Sequence, residues 1–378
     1  MDEGALFELT PSQRAVRDLA RKTAETEFRD HALTWEKDAT FPWKNVRILA
    51  ERGLLGATIP IEYGGGGGDW LDAAVILEEL GRCCYTTAMA ALGELGVQTR
   101  AIGSYGTEAQ KRKYLPNVAD GTLICSICIT EPDTGSDIKA MTTTATVSDD
   151  DVTITGTKTL ISRADVAGLF VVYVRFADTG GIGAVLVERE TPGLSVGPPF
   201  ATLGREGLYE VRFDDVHVGV ENILVRDDGF RKMLRAFNGQ RCLNAAISIG
   251  IAQGAQDAAI EQAKTRSQGG RPIGRYQGIG WMLADNAIDI EAARLLVYRA
   301  AARAGAGFPS RYEAAIAKTF ANEMALRVTD RAMQIFGGHG WADEVGIERY
   351  VRWARYGPLG GGTPQIQRNG IARELLGP

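Results

Sequence analysis

Residues 131–137, Glu131-Pro-Asp-Thr-Gly-Ser-Asp137, gather turn formers, a hydroxyl and carboxylates in one short stretch. Pro132 and Gly135 make a sharp turn there. Successive backbone N–H groups and the Ser136 hydroxyl then become donors for an anion or a ring heteroatom. A plain hairpin would use the same residues. Arg266 to Gln277 reads Arg-Ser-Gln-Gly-Gly-Arg-Pro-Ile-Gly-Arg-Tyr-Gln between two helical runs. A guanidinium fork matches phosphate oxygens, so this stretch is either a diphosphate contact or a solvated basic loop. Gln334-Ile-Phe-Gly-Gly-His-Gly340 closes a helical run with three glycines in four positions. A C-cap explains one of them, and close approach of backbone to a ligand would explain the others. Cys125 and Cys128 form a C-x-x-C inside an apolar segment with no second Cys/His pair nearby, which favours buried strand cysteines. His31, His217 and His339 have no ligand spacing, so no metal site is expected.

These groups need elements to position them. Thr10-Pro-Ser-Gln13 opens a helix, with Thr10 as N-cap, Pro11 in the first turn and Gln13 at the capping-box position. Helices are expected through about residue 115, including Leu71–Leu80 behind the Asp69 cap and a short one after Gly106. Near residue 123 the apolar period changes from 3.6 to 2. Runs at 142–147, 152–155, 169–174, 184–187 and 211–218 are β-branched, with Gly, Asp and Pro between them. Strands following one another without helices favour an antiparallel sandwich or barrel. From Gly229 the helical period returns, with helices expected at 243–264, 279–303, 312–336 and 370–376. The expected fold is α+β: an N-terminal helical domain (1–122), a middle antiparallel β domain (123–228) and a C-terminal four-helix bundle (229–378).

Composition narrows the partners. The chain has 378 residues, a formal charge of −5 and no Lys/Arg tract, so nucleic acid is not an expected partner. It has no apolar run of about 18 residues, so no membrane span is expected. An acidic start without a signal-peptide pattern and an odd count of five cysteines point to the cytoplasm and against disulfides. No G-x-G-x-x-G follows a strand in a βαβ unit, which disfavours a Rossmann nicotinamide site.

Taken in order, the segments Gly56-Ala-Thr-Ile-Pro-Ile-Glu-Tyr-Gly-Gly65, Ile129–Asp137, Leu203-Gly-Arg205, Phe213-Asp-Asp-Val-His-Val218, Arg271–Gln277, Gln334–Gly338 and Gly362-Thr-Pro-Gln-Ile-Gln367 are specific. Over essentially its whole length the chain resembles the acyl-CoA dehydrogenase family. The resemblance implies FAD held between the β domain and the bundle, in a homotetramer or dimer. Thr130, Gly135, Ser136 and Ser162 would contact the flavin or its ribityl chain. Arg266 and Gln277 would hold the diphosphate and adenosine side from a neighbouring subunit. Gln334, Gly338, Thr363 and Gln365 would complete the cofactor site, and Ser136 and Arg241 would face substrate. Two departures stand out: the family usually has an aromatic residue at Leu160 and Phe at Gly269.

The implied reaction is α,β-dehydrogenation of an acyl thioester, on CoA or on a carrier protein, with electrons passing to an electron-transfer flavoprotein or to oxygen. A carboxylate must remove the α-proton. One branch of the family places it directly before the Gly-Thr of the C-terminal motif, where this chain has Gly361. The other branch, which includes isovaleryl-type enzymes, places it on the first bundle helix directly before an Arg. This chain resembles the second, with Gln240 before Arg241. A glutamine amide has the shape of a carboxylate without its basicity. Three readings stay open. Gln240 is a Glu→Gln exchange made to hold substrate; the base comes from elsewhere, with Glu94 as candidate base and pocket residue or else a solvated helix residue; or the chemistry does not begin with α-proton abstraction. The last covers enoyl reduction, a flavin monooxygenase or oxidase, and a silent subunit paired with an active homologue.

Overall fold

The computed structural model describes residues 8–38 and 40–377. The first helices are α1 (Pro11–Thr23), α2 (Ala32–Asp38), α3 (Trp43–Glu51), α4 (Trp70–Cys83), α5 (Tyr85–Leu95), α6 (Val97–Tyr105) and α7 (Glu108–Ala119). Their starts follow the expected chemistry. Thr10 and Gln13 form a reciprocal capping box, Asp69 accepts from the N–H groups of Leu71 and Asp72, and Thr107 pairs with Gln110 in the same way.

The strands are β1 (Cys125–Cys128), β2 (Thr144–Ser148), β3 (Asp151–Ser162), β4 (Leu169–Phe176), β5 (Ile182–Glu188), β6 (Leu194–Val196), β7 (Leu208–Gly219) and β8 (Ile223–Val225). They form one sheet in the order β6-β7-β3-β2-β4-β5-β8, with β1 also on β4. The sheet is not purely antiparallel as expected: β4 runs parallel to both β1 and β2. Both parallel partners come from chain that enters the sheet before β4, and no local periodicity records that long-range choice. Phe170, Val172, Val174, Val185, Val187 and Val211 are among the residues of the sheet's apolar core.

After the sheet come α8 (Gly229–Thr265), the hairpin β9 (Ser267–Gln268) and β10 (Arg271–Pro272), α9 (Gln277–Ala302), α10 (Arg311–Phe336), α11 (Glu348–Tyr356) and α12 (Pro364–Leu376). Helix α8 starts well before the expected Leu243, and α11 was not expected. Two compact units divide the chain. One comprises residues 8–34, 69–88 and 238–377, where α10 packs on α9, α11 and α12. The other comprises residues 35–68 and 89–237 and holds the sheet, with α6 against β1 and β8. The expected divisions near 122 and 228 follow changes of secondary structure; the compact units cut the chain elsewhere. No helix among the described residues is long and apolar enough to cross a membrane.

Candidate active site

In the sheet-containing unit, the turn at 131–136 is built around Glu131. The Glu131 N–H donates to Thr134 O at 3.0 Å and the Thr134 N–H returns to Glu131 O at 3.1 Å. The Glu131 carboxylate, 3% exposed, accepts from Lys158 Nζ (2.9 Å), the Thr142 N–H (2.7 Å), Thr142 Oγ1 (2.8 Å) and the Thr143 N–H (2.9 Å). Lys158 is fully buried and also donates to Ile129 O at 3.1 Å. Burial alone would raise the Glu131 pKa, but the bonds from Thr143, Lys158 and Thr142 override it and hold the carboxyl at about 2. Glu131 is therefore an anchor for the turn. Lys158 read as strand and nothing more in the sequence, because its partner lies 27 residues earlier.

The same lysine shapes the next feature. Lys158 and Ile161 are both buried in β3, although residues three apart in a regular strand face opposite sides. The register shifts between them, and Leu160 takes φ +56° and stands 53% exposed. Thr130 is fixed beside this bulge, its carbonyl accepting from the Thr159 N–H at 2.8 Å. Ser162 follows, its carbonyl held by Ser126 Oγ at 2.8 Å. Gly135 and Ser136 are exposed on the turn. Among the described residues, no hydrogen bond engages the hydroxyls of Thr130, Ser136 or Ser162. The hydroxyls of Thr130 and Ser162, in the segments that flank the outward Leu160, are neutral groups that fit an uncharged heteroaromatic ring such as isoalloxazine.

Glu94 is not a solvated helix residue. It is fully buried in α5, where Oε2 accepts from Arg163 Nη1 at 2.6 Å and Oε1 from the Cys125 N–H at 3.1 Å. Arg163, with φ +62°, also donates to Ala90 O (3.0 Å) and Cys125 O (2.8 Å). Burial pushes the Glu94 carboxyl up while Arg163 opposes it. This ion pair ties α5 to β1, and its geometry gives Glu94 a structural role in place of the candidate base. Cys125 and Cys128 are buried in β1 as expected, and burial raises both thiols, Cys128 to about 12.

In the bundle unit, Gln240 is half-buried on α8 within a tightly held segment. Gly239 lies against Trp70; a Cβ there would sit 2.1 Å from the indole. Trp70 Nε1 in turn donates to Gly307 O at 2.8 Å, and Asn238 Nδ2 donates to Pro309 O at 3.2 Å. Arg241 donates from Nη1 to Asn238 Oδ1 (2.7 Å) and from Nε to Gly361 O (3.4 Å). The two positions named for a base, 240 and 361, are thus joined through Arg241. Gly361 and Gly362 take φ +72° and +91°. Gln367 Nε2 donates to Gly362 O at 3.0 Å, and Thr363 caps α12 by accepting from the Ile366 N–H at 3.4 Å. Gln365 is exposed in the first turn of that helix.

The remaining positions lie at helix ends of this unit. Arg266 follows α8 and Gln277 opens α9; the Ile273 N–H donates to Arg266 O at 2.8 Å and closes the loop. The Arg266 guanidinium is exposed and engages no hydrogen bond among the described residues, which fits an external phosphate. Gly269 and Gly270, both at positive φ, make the tight hairpin turn, and a Cβ at Gly269 would meet the Tyr276 hydroxyl at 2.5 Å. That accounts for glycine where the family usually has Phe. Gln334 and Gly338 are exposed, the Gly337 N–H capping α10 on Gln334 O. A cleft of about 400 Å³ lies elsewhere, between α1 and α9. Arg21 pairs with Glu79 (2.6 Å) and Arg294 with Glu78 (2.9 Å) there, and none of the candidate site residues lines it.

Comparison with known proteins agrees over the whole chain. The models of the acyl-CoA dehydrogenase N-terminal, middle and C-terminal domains match residues 10–122, 126–216 and 227–376. A 3-sulfinopropanoyl-CoA desulfinase of Paraburkholderia xenovorans (strain LB400) is 39% identical over 98% of each chain. A probable acyl-CoA dehydrogenase, YngJ, of Bacillus subtilis (strain 168) is 38% identical over 98% of this chain and 99% of its own. The structure of butyryl-CoA dehydrogenase from Megasphaera elsdenii superposes with a TM-score of 0.94 at 33% identity, covering 98% of this chain and 99% of that one. Three consecutive domain matches and full-length relatives place the chain in the acyl-CoA dehydrogenase family, whose members are FAD-dependent flavoproteins that dehydrogenate acyl thioesters.

Proposed function

We propose that Gln240 stands in the base position of this flavoenzyme, and that the substrate is a short or branched acyl thioester on CoA or a carrier protein. The observation that carries this reading is the bond from Arg241 to Gly361 O, which unites the segments of both possible base positions while neither offers a carboxylate. Bound FAD supplies the hydride acceptor. Thr130, Gly135, Ser136 and Ser162 would hold its ring and ribityl chain. Arg266 and Gln277 would hold the diphosphate and adenosine of a neighbouring subunit's cofactor, with Gln334, Gly338, Thr363 and Gln365 completing the site. Ser136 and Arg241 would border the acyl thioester. A homo-oligomer, tetramer or dimer, is supported by Trp281, Ile288 and Leu295, exposed apolar side chains spaced seven apart on α9. An electron-transfer flavoprotein or oxygen would take the electrons, and a cytoplasmic setting accords with five free, buried cysteines.

Gln240 favours a second reading. An amide does not repel an anionic acyl tail as a carboxylate would, and four full-length relatives bear the name 3-sulfinopropanoyl-CoA desulfinase. In that reading a β-sulfinate leaves as sulfite, with water as co-reactant and no net hydride to the flavin. Anaerobic titration of the parent and of Gln240→Glu with a thioester panel, 3-sulfinopropanoyl-CoA included, decides the matter. A well-placed base contributes about 10²–10⁴-fold to proton transfer, so the variant should bleach the flavin fast where the parent barely does. Equal bleaching in both would sink the assignment of Gln240. Sulfite release by the parent without bleaching would establish the second reading.

A further inference from the structure

The bundle unit contains a fully buried lysine that the proposed chemistry does not use. Lys318 of α10 donates from Nζ to Gly357 O at 2.8 Å. Asn322, one turn on and also fully buried, donates to the same oxygen at 2.7 Å. Asn322 is itself held from α8: Nδ2 donates to Asn244 Oδ1 at 3.1 Å, and Ser248 Oγ donates to Asn322 Oδ1 at 2.8 Å. Gln240, Asn244 and Ser248 are spaced four apart, so they share one face of α8. The helix face that carries Gln240 therefore also carries the groups that hold Asn322. Gly357 leaves room for this network, since a Cβ would come within 2.8 Å of Ser248 Oγ and 2.9 Å of Asn322 Oδ1. Five residues on, Gly362 precedes the Thr363 cap. The strand of chain from 357 to 363 is thus pinned at its start by Lys318 and Asn322 and at its end by Arg241 and Gln367.

We propose that Lys318 is a positioning residue: with Asn322 it fixes the Gly357 carbonyl, and so sets the path by which residues 357–363 bring Gly361 to Arg241 beside Gln240. Its catalytic meaning rests on the reading of 240 and 361 given above; the positioning itself does not. Burial, and then repulsion from Arg241, push the Lys318 amine down to about 7. Arg241 is a charged group that opposes its protonation. Below that pH the bond to Gly357 O is charge-assisted, and above it the bond weakens. Overall stability moves the other way. From about pH 7 to the ordinary value of 10.5 the unfolded chain binds the extra proton, so stability through this group rises with pH.

That opposition makes the test specific. Hydrogen exchange is measured on the FAD-loaded protein and on Lys318→Met, below and above about pH 7, with intrinsic exchange rates divided out. Met fills the space without a buried charge, so the melting temperature should hold or rise, while protection across 357–367 falls about tenfold, the scale of one charge-assisted hydrogen bond. Wild-type protection of that segment should decline as pH passes 7, and the variant should be flat. Equal protection in both proteins overturns the proposal, and so does a loss spread evenly over the bundle with a lower melting temperature. These readings do not involve turnover, so a wrong assignment of Gln240 leaves them intact.

Discussion

Lys158 in the sheet and Lys318 in the bundle are both sealed from solvent, yet they are satisfied in different ways. Lys158 meets a carboxylate, Glu131, at 2.9 Å, and each ion answers the other's desolvation. Lys318 meets the carbonyl of Gly357, which Asn322 also serves. The sheet uses paired charge to lock a turn that carries neutral hydroxyls. In the bundle, amides, carbonyls, the Arg241 guanidinium and the Lys318 amine link residues 238–248 to 357–367. The difference teaches which charges are structural: removal of one partner from the first pair strands an ion, whereas removal of the second leaves only a carbonyl that keeps another donor.

The comparison breaks most readily at Lys158. Lys158→Met leaves Glu131 buried without its counter-ion and should lose about 3–5 kcal/mol in urea unfolding, whereas Lys318→Met should lose almost none. Similar losses in the two variants would erase the distinction. Next in size is acid sensitivity. Glu131 is held at about 2 against an ordinary 4.5, so its contribution is complete above pH 4.5 and is lost as pH falls toward 2. That amounts to about 3 kcal/mol by linkage, and it should show as a steeper acid limb in the parent than in Glu131→Gln. Gly239→Ala drives a Cβ into Trp70 and should cost about 1–3 kcal/mol, together with a weaker thioester-induced change in the flavin spectrum when combined with Gln240→Glu. An unchanged spectrum would show that the indole does not set the Gln240 segment. The smallest effect is Thr10→Ala, far from both lysines in sequence, which removes a helix cap worth about 1 kcal/mol and should leave the flavin spectrum untouched.

Local chemistry made much of this legible in the sequence. Thr10, Asp69 and the break at Gly106 announced three helix starts, and the β-branched runs located β2 to β5 and β7. The start of α8 was missed because Asn238, Gly239 and Gln240 interrupt its apolar period; Trp70 and the 307–309 carbonyls supply the compensation. Helix α11 is short and rich in charge, yet Tyr350, Trp353 and Ala354 stand at helical spacing, and in the fold Tyr350 and Trp353 pack edge to face at 5.3 Å. Among candidate site residues, the Thr130–Ser136 turn and the 240–241 and 361–365 segments are named by motif. Lys158, Arg163 and Lys318 were not, since each acts through a partner that only the fold brings near. Glu94 looked available for the same reason: nothing local announces Arg163.

The left-handed backbone at Gly361 has a consequence for how this chain could change. A glutamate at 361 would have to adopt a conformation that costs a residue with a Cβ roughly 1–2 kcal/mol. At 240 the backbone is ordinary helix, and Gln to Glu alters one terminal group. A carboxylate can therefore enter this chain at 240 without backbone strain, and at 361 only with it.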